Sequence, residues 1–410
     1  MSLDTRTRRR SAVRDLTVGE VFDAVMPEAA TTNGSLVAEG IRVGELGPLA
    51  LECDGRSVTI SGSDDVVSLD PGSADPAVTV RVTREGLSNL AQDLQTPMGL
   101  AMTSRAEIIG GSLDDWLAWE PTLHALFDGR RVHRPGAVDL LDADGRPLDL
   151  DRSFDLGDDP SEMGRFLEQA GFLHVRGVFD GEEMRAVGRD LDRCLAESSP
   201  DDGESWWATD SDGLEQAVRV LWFHERSETL AALLADRRLH WLPDLTDDEF
   251  DTGHMGAEGL VKPLGITRGL SDLPWHKDCG QGSHTYNCSG LTVGISVTGA
   301  DRRSGALGVI PGSHRANTES AMRSPRLDLE PILLETATGD VTVHCSDTLH
   351  RAHPPVDRPR QVVYTGIPLR PLAGDEDGDW WKPSRDEARK ARAGLSDVTD
   401  RIDAASGNAR

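Results

Sequence analysis

Gly290-Leu291-Thr292-Val293-Gly294-Ile295-Ser296-Val297 alternates apolar with small or polar residues at a period of two, the pattern of a β-strand. It is one of six short β-rich runs beyond Gly259. The others are Leu260 to Leu264, Ala306 to Ile310, Ile332 to Leu334, Asp340 to His344 and Gln361 to Ile367, and Gly, Pro, Asp and Ser separate them. No long helical period intervenes, so the runs predict an antiparallel double sheet or barrel. Helices precede it. Ser161 starts a short one carrying Met163, Phe166 and Leu167, Gly171 stops it, and Phe172-Leu173-His174-Val175 follows as a strand. Asp180 caps another, in which Met184, Val187, Leu191 and Cys194 recur at helical spacing.

The N-terminal part, Leu16 to Phe127, reads as mixed α and β. Asp54-Gly55 is a hairpin turn between strands at Leu49 to Cys53 and Val58 to Ile60, and Pro76 to Val82 is a further strand. Thr83 offers an N-cap to a helix with Leu87, Leu90 and Leu94. A strand at Arg105 to Ile109 follows, and Ser112 caps a last helix, bent or restarted at Pro121. This succession, with Pro97-Met98-Gly99-Leu100-Ala101-Met102 in its middle, resembles the C-terminal half of the sterol-carrier-protein-2 fold, which would imply a lipid-holding unit. A solubilising or oligomerising appendage would show the same apolar helix faces. The turn formers from Pro135-Gly136 to Pro147 mark a boundary. The expected organisation is a disordered arm (1–15), a smaller N-terminal α+β domain (16–134), a linker (135–159), a second domain (160–370) and a polar helical tail (371–410).

Bulk properties narrow the function. A chain of 410 residues exceeds what one core usually organises and affords a sizeable pocket. Its net charge of −27 opposes phosphate backbones and anionic lipid surfaces, so neither a nucleic acid partner nor stable membrane insertion is expected. Five cysteines without a CxxC pair suggest neither a zinc ribbon nor a disulfide framework, and no apolar run reaches membrane-spanning length. A cytoplasmic protein is expected; the oligomeric state is left open.

His276-Lys277-Asp278, then Thr348-Leu349-His350, then Arg358-Pro359-Arg360 carry the chemistry. Two imidazoles and one carboxylate on one face of an octahedral Fe(II) leave three positions open, enough for an organic chelate and O₂. His276 and Asp278, at i and i+2, would share one face of a strand. A lone His-x-Asp would arise roughly once by chance here, so context decides its value. Leu273-Pro274-Trp275 precedes it, Ser304-Gly305-Ala306-Leu307 and Pro311-Gly312-Ser313-His314-Arg315 follow, and Gly339-Asp340-Val341 opens the strand before the last histidines.

Together with Gly171 to Val178, these residues resemble the phytanoyl-CoA dioxygenase family of Fe(II)/2-oxoglutarate oxygenases, over about Pro160 to Leu369. The resemblance implies a double-stranded β-helix (jelly roll) with supporting helices, and Fe(II), 2-oxoglutarate and O₂ as cofactor and co-substrates. It assigns His276, Asp278 and His350 as metal ligands, with His344 and His353 as competitors for the third place. Arg360 would grip the distal carboxylate of 2-oxoglutarate, a task suited to a planar guanidinium. Lys262 would add a second positive contact, and Arg358 is the nearest rival to Arg360. The implied activity is hydroxylation of an unactivated C–H in a small, apolar, lipid-like or secondary-metabolite substrate, with succinate and CO₂ as co-products. The carboxylate at Asp278 disfavours halogenation, because the halide would need its place. Trp206, Trp207, Trp222, Trp241 and Trp275 suit an apolar pocket and core packing equally. Competing readings are a cupin-like metalloenzyme independent of 2-oxoglutarate and a lipid carrier on a degenerate oxygenase fold.

Overall fold

The computed structural model describes residues 12–370 apart from 64–65, 73–74, 252–254, 270–274, 279–289 and 323–326, together with Asp386 and Arg389. The expectations for most of the arm, for Leu273-Pro274, and for the tail helix Ser384 to Ala393 other than those two residues lie outside the described residues.

Five strands form an N-terminal sheet: β1 Leu49–Cys53, β2 Arg56–Ser63, β3 Val66–Pro71, β4 Val78–Val82 and β5 Ala106–Gly110, in the order β3-β2-β1-β4-β5. The β1–β2 turn uses Asp54 and Gly55 at φ 49° and 74°, the doubly left-handed geometry that tight hairpins need. Thr83 accepts the Gly86 amide as the expected cap, and Ser112 forms a reciprocal box with Asp115. The last helix does restart, with Pro121 in the first turn of Glu120–Asp128. A long helix, Met26–Val43, was not signalled by the sequence and packs on β2 and β3. Arg14, expected in the arm, donates its amide to Gln92. Trp116, Trp119, Leu49, Leu51 and Ile60 fill this core.

The remaining strands are β6 Phe172–Val175, β7 Ser205–Asp210, β8 Glu215–Val220, β9 Ala257–Lys262, β10 Ile266–Arg268, β11 Trp275–His276, β12 Gly290–Ser296, β13 Leu307–Val309, β14 Ala321–Met322, β15 Ile332–Leu334, β16 Val341–Cys345, β17 His350–Ala352 and β18 Arg360–Pro368. They make an eight-stranded sheet, β10-β7-β8-β9-β18-β12-β16-β6, and a five-stranded one, β14-β11-β17-β13-β15. Every pairing within these two sheets is antiparallel. The protein is thus a mixed α+β chain rich in antiparallel sheet. All six sequence-read runs contain strands, shifted by a few residues at their ends; β7 and β8 were not anticipated.

Period-two alternation gives the larger sheet two different faces. Leu291, Val293 and Ile295 of β12, Val341 and Val343 of β16, and Val363 of β18 enter one core with helices Pro160–Ala170 and Gly181–Ala196. Asp159 rather than Ser161 caps the first helix, accepting the Ser161 amide; Asp180 caps the second as expected. By the same alternation, the opposite face presents Thr292, Gly294 and Ser296, then Thr342 and His344, then Arg360, Val362 and Tyr364. That face holds the polar residues.

Candidate metal centre

β11 and β17 are neighbours, and their register sets His276 directly opposite His350, with ring centroids 4.3 Å apart. Asp278 follows two residues on, beyond the end of β11, so its carboxylate arrives from a connecting segment rather than from a strand. Its Oδ1 lies 3.4 Å from His350 Nε2 and 3.9 Å from His276 Nε2. One ligand atom from each residue falls within 4.8 Å of the other two. Two neutral imidazole nitrogens and a carboxylate oxygen at that spacing suit a divalent transition metal and leave part of its coordination sphere to other ligands.

Neighbouring groups fix the orientation. His350 Nδ1 is 2.9 Å from the Thr348 carbonyl, which takes the ring N–H and turns Nε2 towards the site. Thr292 Oγ1 donates to Asp278 Oδ2 at 2.7 Å, and His344 Nε2 lies 3.3 Å from the same oxygen. This leaves Oδ1 facing the two histidines. The Asp278 side chain is about a third exposed, and although crowding by its neighbours raises its pKa, the charge of His350 and hydrogen bonds from His344 and His350 outweigh that and hold the carboxyl well below its ordinary range. Burial opposes charge on His350, yet Asp278 pulls its pKa above the usual imidazole value; at His344, burial and the charge of His350 push it down. Positive charge beside this carboxylate is therefore favoured, which a bound cation would supply.

His344 thus meets the carboxylate edge without joining the three mutually close ligand atoms. His353 is further removed, its ring lying edge-on to Trp275 at 6.1 Å. Thr292 was not singled out in the sequence. The available signal was a hydroxyl on the non-core face of an otherwise apolar strand.

Arg360 is buried at 4% exposure, and its Nε has no hydrogen-bond partner among the described residues. A buried guanidinium is costly unless an anion meets it, so a carboxylate from a co-substrate suits this position. Arg358, by contrast, is exposed and paired with Asp301. Lys262 sits opposite Arg360 in the β9–β18 register and donates from Nζ to the Ala352 and His353 carbonyls at 2.6 and 2.9 Å. It therefore ties the strand bearing His350 to the face bearing Arg360. Trp206 lies under the Arg219 guanidinium at 4.4 Å and joins Leu260, Ile266, Val362 and Tyr364 in an apolar cluster on this face. Trp275 packs with Ile310, Met322 and Leu349, and Trp241 against the main core. Trp206, Trp241 and Trp275 thus all pack in apolar clusters.

Residues 167–360 match the family model of phytanoyl-CoA dioxygenase (PhyH). This stretch is a PhyH family domain. The family is Fe(II)- and 2-oxoglutarate-dependent, and the matched stretch contains His276, Asp278 and His350 and ends on Arg360. No curated protein matches the chain. Similar solved structures include AviO1 from Streptomyces viridochromogenes Tue57, at 16% identity and TM-score 0.40, covering 51% of this chain and 95% of that one. The epimerase SnoN, in complex with Fe3+, alpha ketoglutarate and nogalamycin RO, shows 18% identity and TM-score 0.42, over 55% and 91%. The carbocyclase SnoK from nogalamycin biosynthesis shows 18% identity and TM-score 0.41, over 57% and 94%. Likenesses this distant carry no argument about chemistry. No helix among the described residues is long and apolar enough to cross a membrane.

Proposed function

We propose that the chain is an Fe(II)- and 2-oxoglutarate-dependent dioxygenase that hydroxylates an unactivated C–H of a small, apolar substrate, on a jelly-roll PhyH domain preceded by a separate N-terminal α+β domain. The observation that carries this reading is the convergence of His276, Asp278 and His350 within 4.8 Å. His276 Nε2, Asp278 Oδ1 and His350 Nε2 would hold the iron. Bound there with 2-oxoglutarate and O₂, iron supplies an oxidant strong enough to take hydrogen from carbon.

The protein's own residues position and exclude. Thr292 and His344 hold one carboxylate oxygen of Asp278 so that the other faces the metal. Arg360 would receive the distal carboxylate of 2-oxoglutarate in a place where water competes poorly. Lys262, beside it, adds positive charge while bracing β17. The cluster of Trp206, Leu260, Ile266, Val362 and Tyr364 would meet the apolar body of the substrate.

Succinate formation from 2-oxoglutarate by iron-loaded protein tests the reading, with His276→Ala and Asp278→Ala as controls. Turnover abolished in both supports it; equal turnover rejects the ligand assignment. A product heavier by one oxygen identifies hydroxylation. Turnover without 2-oxoglutarate would instead favour the cupin-like alternative.

A further inference from the structure

The segment 317–322 lies between the two cores and is bonded to both. On one side its backbone carries the metal strand. β14 pairs with β11 so that Ala321 faces His276 and Met322 faces Trp275, and the Ser320 carbonyl accepts the Lys277 amide at 2.8 Å. On the other side its side chains enter the N-terminal unit. Asn317 Oδ1 meets His124 Nδ1 at 2.9 Å, while its Nδ2 donates to the carbonyls of Pro121 at 2.9 Å and Arg130 at 3.1 Å. Ser320 Oγ donates at 2.7 Å to Glu120, a carboxylate only 1% exposed. Ala321 also packs with Met98 and Leu117.

The two sides of this segment are held by different kinds of bond. Towards β11 it offers its backbone, and towards the N-terminal unit it offers the side chains of Asn317 and Ser320. A backbone fixed on one side by side-chain bonds on the other transmits their loss to the strand it pairs with. The groups met on the far side, Glu120 and the carbonyls of Pro121 and Arg130, belong to the N-terminal unit. Each of these bonds contributes about 1 kcal/mol to holding the segment in place.

We infer that the N-terminal unit positions His276, acting through Glu120, Asn317 and Ser320 on β14, so that these three are positioning residues of the metal centre although none touches the metal. The inference rests on His276 being a ligand, as proposed above. Coupling of this kind is reciprocal, so metal binding also strengthens the junction.

The test uses the full chain, Co(II) as an optical probe in place of Fe(II), and hydrogen exchange of the Lys277 amide in metal-free protein. Asn317→Ala and Ser320→Ala are compared with Ser88→Ala, which removes a buried hydroxyl of the N-terminal unit bonded to the Leu16 amide, away from the junction. In the two junction variants Co(II) affinity is expected to fall about tenfold, with an altered visible spectrum and faster Lys277 exchange. Ser88→Ala is expected to lower Tm while leaving all three readouts unchanged. Unchanged affinity, spectrum and exchange in Ser320→Ala would overturn the inference, even if Asn317→Ala fails to fold. Failure of the ligand assignment looks different: wild type and His276→Ala would then bind Co(II) alike, while the exchange measurement still reports whether the junction holds β11.

Discussion

On the N-terminal sheet, β1 and β4 commit Leu49, Leu51, Val78, Val80 and Val82 to a core closed by Trp116 and Trp119. On the eight-stranded sheet one face does the same, while the other carries Thr292, Ser296, Thr342, His344 and Arg360. Buried polar groups stabilise little and can cost several kcal/mol, so the second arrangement is worse as packing. The difference separates a sheet built for folding from one that gives up stability for a site. Substitutions in the two regions should then have opposite signatures.

The largest contrast concerns activity. His350→Ala or Asp278→Ala should lower 2-oxoglutarate turnover by about a thousandfold or more, while thermal melting of the metal-free protein changes little; a large drop in Tm would place these residues among the folding determinants. Leu51→Ala, in the N-terminal core, should cost about 3 kcal/mol in urea unfolding with the 2-oxoglutarate affinity of the folded protein unchanged. Arg360→Met should do the reverse. It should weaken 2-oxoglutarate binding by about 2 kcal/mol, roughly thirtyfold by calorimetry, yet leave the fold as stable or more so.

Acidity sharpens the contrast further. Asp278 is held below its ordinary pKa and His350 above, so their mutual attraction is complete between about pH 4 and 6.5. It is lost as pH rises through the folded value of His350, and as pH falls through that of Asp278. A metal must displace the His350 proton, so affinity for Co(II) should rise with pH, by about tenfold per unit below that folded value, and then level off. A flat profile would show that His350 does not bind it. The smallest effect is expected for Thr292→Val, about 1 kcal/mol in metal affinity, because one hydrogen bond to the carboxylate is lost while His344 remains.

Legibility followed the same divide. Period-two runs and capping residues made Ile332–Leu334, the β1–β2 hairpin and the Thr83, Ser112 and Asp180 caps readable, because each rests on local chemistry. Helix Met26–Val43 escaped, since Thr31, Thr32, Asn33, Gly34 and Gly40 are poor helix formers and its stability comes from burying Val37 and Ile41. β7 and β8 escaped because a run such as Ser205-Trp206-Trp207 has no clear alternation. At the site, spacing and family resemblance pointed to the residues that the fold brings together. They could not supply Thr292 or the junction through Asn317, which depend on pairing between segments distant in sequence.

The tether on His350 pre-sets its ring. Its ring nitrogen is held by the Thr348 carbonyl, and the Thr348 hydroxyl is in turn bonded to the Gly171 carbonyl at the end of a helix. An imidazole anchored through two links to a helix terminus need not swing into place when an ion arrives. An ion entering at this corner would meet a ring already turned towards Asp278.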